Sequence, residues 1–172
     1  QTLCMIFFPG EKFTEAQEIT DDTPVMDVTV INSEEASYAK AVLTYQGKTA
    51  MAEKTIEFIP ERTKQRSAKI AAGNVVLAVG SEILGYRPSW GMLTGVRPSK
   101  VAMEMLLNCN SKAKVRKILN NDYFVIPKKA ALATDIARRE QKLIGNPNVR
   151  DCSIYISIPF CPSRCSYCSF VS

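Results

Sequence analysis

The sequence predicts an α+β fold: a small antiparallel sheet, a set of helices behind it, and one further strand that runs into a cysteine loop. Three observations predict it. Apolar residues alternate with polar ones up to residue 59, and their spacing turns helical from residue 62 to 144. Three cysteines then fall close together in Cys161-Pro-Ser-Arg-Cys165-Ser-Tyr-Cys168. The chain has 172 residues, 46% hydrophobic and 23% charged, the balance of an ordinary globular protein.

The sheet comes first. Thr20-Asp21-Asp22-Thr23-Pro24 is a polar breaker. After it Met26, Val28 and Val30 alternate with Asp27 and Thr29, the pattern of a half-buried strand. Ala39, Ala41, Leu43 and Tyr45 alternate against Lys40 and Thr44, and Gln46-Gly47-Lys48 supplies a glycine turn into residues 49–59. Those two runs read as a β-hairpin.

Helices follow. Ala68, Ala72, Val75, Val79, Ile83 and Tyr86 fall on one stripe that Leu77 and Leu84 widen, which predicts a helix buried on more than one side. Gly85 and Pro88 end it. The stretch Trp90-Gly91-Met92-Leu93-Thr94-Gly95-Val96-Arg97-Pro98 is a tight, glycine-bent loop, and Pro98 suits the first turn of a helix reaching Leu107. Arg97 could grip a carboxylate or phosphate, or tie the loop to a helix end. Ser111 can cap a short helix carrying Val115, Ile118 and Leu119. Pro127 can open a further helix with Ala133, Ile136, Ala137, Glu140, Leu143 and Ile144, and Gly145 with Pro147 stops it. Gly145-Asn146-Pro147-Asn148 is therefore the expected boundary between a domain at 1–148 and a second unit at 149–172.

The net charge of +5 is modest and spread out. Its densest group, Lys112, Lys114, Arg116 and Lys117, points several ways on a helix and reads as a solvated face rather than a nucleic-acid patch. No apolar run approaches the ~20 residues of a membrane helix. Residues 1–8 lack a basic leader and a small-residue cleavage site, so six cysteines without export point to the reducing cytoplasm. The opening Gln suggests a beginning that is missing or processed.

The cysteines carry the chemistry. Three thiolates on one short loop can hold three irons of a [4Fe–4S] cube and leave the fourth open to a small ligand, whereas clusters that only carry electrons normally take four. A zinc site usually joins C-x2-C to a distant ligand pair. Here there is no His, and Cys4, Cys109 and Cys152 stand alone. Ser153-Ile154-Tyr155-Ile156-Ser157-Ile158-Pro159-Phe160 reads as a strand feeding the loop, with Ile154, Ile156 and Ile158 on one face and Tyr155 and Ser157 on the other.

This stretch resembles the cluster loop of the radical S-adenosylmethionine enzymes. Tyr155-Ile156-Ser157-Ile158-Pro159-Phe160-Cys161 is similar to one branch of them, the oxygen-independent coproporphyrinogen III oxidases and their relatives. Gly91-Met92-Leu93-Thr94-Gly95-Val96-Arg97-Pro98-Ser99-Lys100 resembles the region ahead of the loop in the coproporphyrinogen dehydrogenase subgroup, HemZ, and on this reading the resemblance runs from Phe7-Phe8-Pro9-Gly10 onward. It implies that Cys161, Cys165 and Cys168 are ligands of a [4Fe–4S] cluster whose open iron is chelated by S-adenosylmethionine. It also implies that Tyr155 and Tyr167 lie beside that cofactor. The substrate would be a porphyrinogen, decarboxylated at two propionates to vinyls, and the electron donor a flavodoxin or ferredoxin type. No catalytic residue is assigned.

The same resemblance makes residues 149–172 the first strand and cluster loop of an incomplete α/β barrel. A barrel needs on the order of 200 residues, so the chain as it stands is expected to be inactive. Phe170 stands where the oxidases of the branch carry a further cysteine, as in HemZ and the haem-chaperone relatives. A haem chaperone and an RNA-modifying radical enzyme are thus the alternatives. The long region ahead of Asp151 favours HemZ, because the chaperones typically begin close to the cluster strand.

Overall fold

A computed structural model describes residues 2–11, 19–20, 22–60, 62–108, 110–145, 148, 150–152, 154–158, 160–166 and 168. After a 3₁₀ turn at Cys4–Ile6 come strands β1 (Val25–Asn32), β2 (Ala36–Tyr45) and β3 (Lys48–Glu57), then helices α1 (Lys64–Leu84), α2 (Pro98–Leu107), α3 (Lys112–Asn121) and α4 (Pro127–Ile144).

The sheet is antiparallel in the order β1-β2-β3. Tyr45 pairs with Lys48 across a two-residue turn in which Gln46 and Gly47 both have positive φ, 49° and 69°. Such a turn twists with the strands it joins, which is why glycine belongs there. Between β1 and β2 the Ser33 hydroxyl accepts from the Glu35 and Ala36 amides, at 3.2 and 3.0 Å. The register puts Met26, Val28 and Val30 opposite Leu43, Ala41 and Ala39, so all six share the core side of the sheet.

Helix α1 covers that side unevenly. It lies mainly across β2 and β3 and reaches β1 far less. Ala39, Ala41 and Leu43 are therefore fully buried, while Val28 and Val30 remain 41% and 40% exposed. The half-burial expected from the alternation in β1 holds only at Met26, because an edge strand needs a covering element as well as a pattern.

The burial of α1 also differs from the predicted stripe. Ile70, Ala71, Val75, Leu77 and Val79 are buried, and so are Gly73, Asn74, Val76 and Gly80, which takes burial well round the helix. Ala68 and Ala72 are only partly buried, and Tyr86 lies past the left-handed Gly85 cap with 53% exposure. Sheet and helical layer enclose α1 together, so no single stripe describes it. By length and mean hydropathy alone this 21-residue helix is long and apolar enough to cross a membrane, although Lys64, Arg66, Lys69 and Glu82 interrupt its apolar run. Its apolar positions are spent inside the fold, the pattern of a core helix.

The predicted caps are in place. Pro98 and Pro127 open α2 and α4, and Ser111 Oγ accepts from Lys114 N at 3.2 Å at the start of α3. Thr63 does the same for α1, accepting from Arg66 N at 3.2 Å. The glycine-bent loop at 91–93 is a second 3₁₀ turn. Gly91, at φ 51°, lies so close to the Tyr123 carbonyl that a Cβ could not fit, and Met92 N donates to that carbonyl at 2.9 Å.

Polar bonds tie α1 to the helical layer. The buried Asn74 amide donates to the Asn121 and Asp122 carbonyls, both at 3.0 Å. Arg62 reaches Asp122 at 3.0 Å, and Arg66 reaches Glu104 at 3.0 Å and the Tyr123 hydroxyl at 3.2 Å. Half-buried guanidinium groups are tolerated here because their donors are matched.

Candidate functional site

Past α4 the character of the chain changes. Ile154, Tyr155, Ile156 and Ile158 are 81–90% exposed and Phe160 75%, and the described residues among 154–160 join no sheet. Over the described residues the strand predicted there is not formed. A strand is held by a ladder to a neighbour, and the described residues offer this segment none.

Cys161 and Cys165 are exposed and Cys168 is partly covered. All three are free thiols. The Cys168 amide donates to the Cys165 carbonyl at 3.0 Å, folding the second half of the loop into a turn, and Arg164 approaches the Cys168 carbonyl at 3.5 Å. Among the described residues no three Cys, His, Asp or Glu side chains converge on a point that could hold a metal ion. The structure thus keeps the three thiols on one short exposed loop without gathering them. Tyr155 projects into solvent and does not pack on the loop's fold neighbours, while Tyr167 lies outside the described residues.

As a donor set the loop suits an iron–sulfur cluster. The thiols are unoxidised, close in sequence and open to solvent, and metal bonds commonly complete such a site as they form. The remaining cysteines suit it less. Cys4 is buried, which pushes its thiol up and away from the thiolate form a metal needs, and Cys152 is exposed on the far side of the 154–160 segment in sequence. Cys109 lies outside the described residues.

Arg97 is exposed, and its side chain makes no hydrogen bond or ion pair among the described residues; only its carbonyl is used, by Lys100 N at 3.1 Å. The basic group on α3 is partly structural, since Lys112 and Arg116 both reach Asp135 of α4, at 3.0 and 2.9 Å. These contacts hold Asp135 below the usual carboxylate range, the Lys112 hydrogen bond most of all.

One feature of the folded part escaped the sequence reading. A cleft of about 510 Å³ opens between β3, the start of α1 and helices α2 and α3. Arg62, Arg66, Glu104, Asp122 and Tyr123 line it, and Lys54 and Lys114 stand in it with ammonium groups that make no hydrogen bond or ion pair among the described residues. Arg62 and Asp122 are 60 residues apart, so their pairing could not be read. Lys54 could have been found, because it breaks the apolar face Ala50, Ala52, Ile56 of β3.

No family model matches the chain, and no solved structure matches it. Among curated proteins it is similar to the "Oxygen-independent coproporphyrinogen-III oxidase-like protein HemZ" of Bacillus subtilis (strain 168), with 34% identity over 119 residues. That match takes in 66% of this chain and spans about a quarter (24%) of the relative's length. Over those 119 residues the chain resembles an oxygen-independent coproporphyrinogen-III oxidase-like protein.

Proposed function

We propose that this chain carries the cluster loop of a radical S-adenosylmethionine oxidoreductase of porphyrin synthesis, which converts two propionates of coproporphyrinogen III to the vinyls of protoporphyrinogen IX. The observation that carries the reading is the C-x3-C-x2-C spacing of free, accessible thiols. The HemZ relative supports it. In this reaction each propionate loses CO2, a hydrogen atom to the radical and one electron to a one-electron acceptor, and becomes a vinyl group. When bound, a [4Fe–4S] cluster with S-adenosylmethionine supplies the hydrogen-abstracting 5′-deoxyadenosyl radical after one-electron reduction.

The chain's own residues have narrower tasks. Cys161, Cys165 and Cys168 provide thiolates, a state that iron bonding itself enforces. Tyr155 and Tyr167 are assigned to flank the nucleoside, where an aromatic face excludes water from a reactive site. Residues 149–172 begin the barrel, and the domain at 1–148 precedes it. A flavodoxin- or ferredoxin-type donor provides the electron, in a reducing, cytoplasmic setting. Walls that position substrate belong to the barrel that residues 149–172 begin.

The test is an anaerobic assay of the protein with its barrel, supplied with reductant, S-adenosylmethionine and coproporphyrinogen III. The reading requires 5′-deoxyadenosine together with protoporphyrinogen, and only background deoxyadenosine from residues 1–172. Deoxyadenosine with intact propionates would keep the radical chemistry and remove the substrate, which brings forward the haem-chaperone reading that Phe170 also allows.

A further inference from the structure

The cleft beside β3 has the dimensions and lining of a ligand site. Its volume of about 510 Å³ falls within the range of small-molecule pockets, roughly 300–1,000 Å³. Ile56, Met105 and Ile118 give it an apolar lining, with the Tyr123 ring beside them. Its charges are arranged in two groups. Arg62 is fully engaged, by Asp122, by the Ser67 hydroxyl at 3.0 Å and by the Glu57 carbonyl at 2.9 Å, and so is structural. The ammonium groups of Lys54 and Lys114 are not engaged by any described residue, and Glu57 is the one lining carboxylate outside the Arg62 and Arg66 pairs.

Lys54 is the telling residue. It is half-buried, on the core side of the sheet, opposite the fully buried Ala39. An ammonium in such a place is normally matched by a carboxylate, because burial penalises an unpaired charge. Arg66 adds a second clue. Its fork is held by Glu104, whose side chain is 55% exposed, so a competing carboxylate can take Glu104's place from solvent.

We propose that this cleft binds a carboxylated tetrapyrrole, with the ring edge against Ile118 and Tyr123 and two propionate arms on Lys54 and Lys114. The proposal rests on the porphyrinogen reading for its choice of ligand, and it makes the N-terminal domain a tetrapyrrole-binding module separate from the cysteine loop. A polycarboxylate with an apolar body matches both halves of the lining, whereas a nucleic-acid strand would need a line of cations that the cleft lacks.

The probe is coproporphyrin III, the stable oxidised ring, titrated by fluorescence into the iron-free 172-residue chain. Saturable binding of one equivalent is expected, weakened at least tenfold in Lys54→Glu/Lys114→Glu and preserved in Lys54→Arg/Lys114→Arg. Circular dichroism checks that each variant is folded. Should the double reversal fail to fold, Lys114→Glu alone, on an exposed side chain, is expected to weaken binding about threefold. Non-saturating uptake, or affinity unchanged by charge reversal in a folded variant, overturns the proposal. Cysteine variants separate this outcome from the cluster reading: Cys165→Ala is expected to bind coproporphyrin normally while losing iron, and the lysine variants to do the reverse.

Discussion

Helix α1 and the segment at 154–160 are both rich in aliphatic side chains, and only one of them buries any. Ile70, Val75, Leu77 and Val79 are at most 1% exposed, whereas Ile154, Ile156 and Ile158 are at least 81% exposed. The difference lies in what faces them. Helix α1 meets alanines on β2 and β3, small enough for close approach, and polar bonds from Arg62, Arg66 and Asn74 fix it to the helical layer. The 154–160 segment has a strand's alternation with no ladder to join among the described residues. Apolar content marks what a segment can bury, and a partner surface decides whether it does.

Substitution should expose this contrast first. Leu77→Ala removes a fully buried side chain and is expected to cost about 2–5 kcal/mol, lowering the thermal midpoint by roughly 10 °C. Ile156→Ala, at an exposed position, should stay within about 0.5 kcal/mol of the parent. Equal effects at the two positions would mean that the segment is packed after all.

Ending the chain at Asn148 sharpens the same comparison. Residues 1–148 should unfold cooperatively, with a midpoint within about 2 °C of the whole chain, since little of the core lies beyond Gly145. A broad transition in calorimetry would show that the boundary is misplaced.

The smallest effect is electrostatic. Asp135 is held low chiefly by the Lys112 hydrogen bond, with Arg116 adding to it. A carboxylate whose folded value is depressed stabilises fully above its unfolded value of about 3.9, and that contribution is lost as the pH falls through the lowered folded value. An NMR titration of the Asp135 carboxyl should show a midpoint below that of an ordinary exposed Asp, and Lys112→Gln should raise it. An unmoved midpoint would mean that the contact does not persist in solution.

Much of the fold was legible because its signals are local. Gln46-Gly47-Lys48 announces its turn, and Pro98, Ser111, Pro127 and Gly145 mark helix ends through chemistry confined to a few residues. What the sequence hid was tertiary. The wrap of burial around α1, the bare edge of β1 and the Arg62–Asp122 and Arg66–Glu104 pairs depend on which element lies over which. The cysteine loop stands between these cases: its spacing is plain in the chain, while its three sulfurs do not converge among the described residues.

The central claim is that Cys161, Cys165 and Cys168 together bind a cluster, and anaerobic reconstitution with iron and sulfide measures it directly. The account predicts a brown species with broad absorption near ~400 nm, lost in each of Cys161→Ala, Cys165→Ala and Cys168→Ala and kept in Cys4→Ala, Cys109→Ala and Cys152→Ala. Unchanged iron and sulfide content in Cys165→Ala would contradict it.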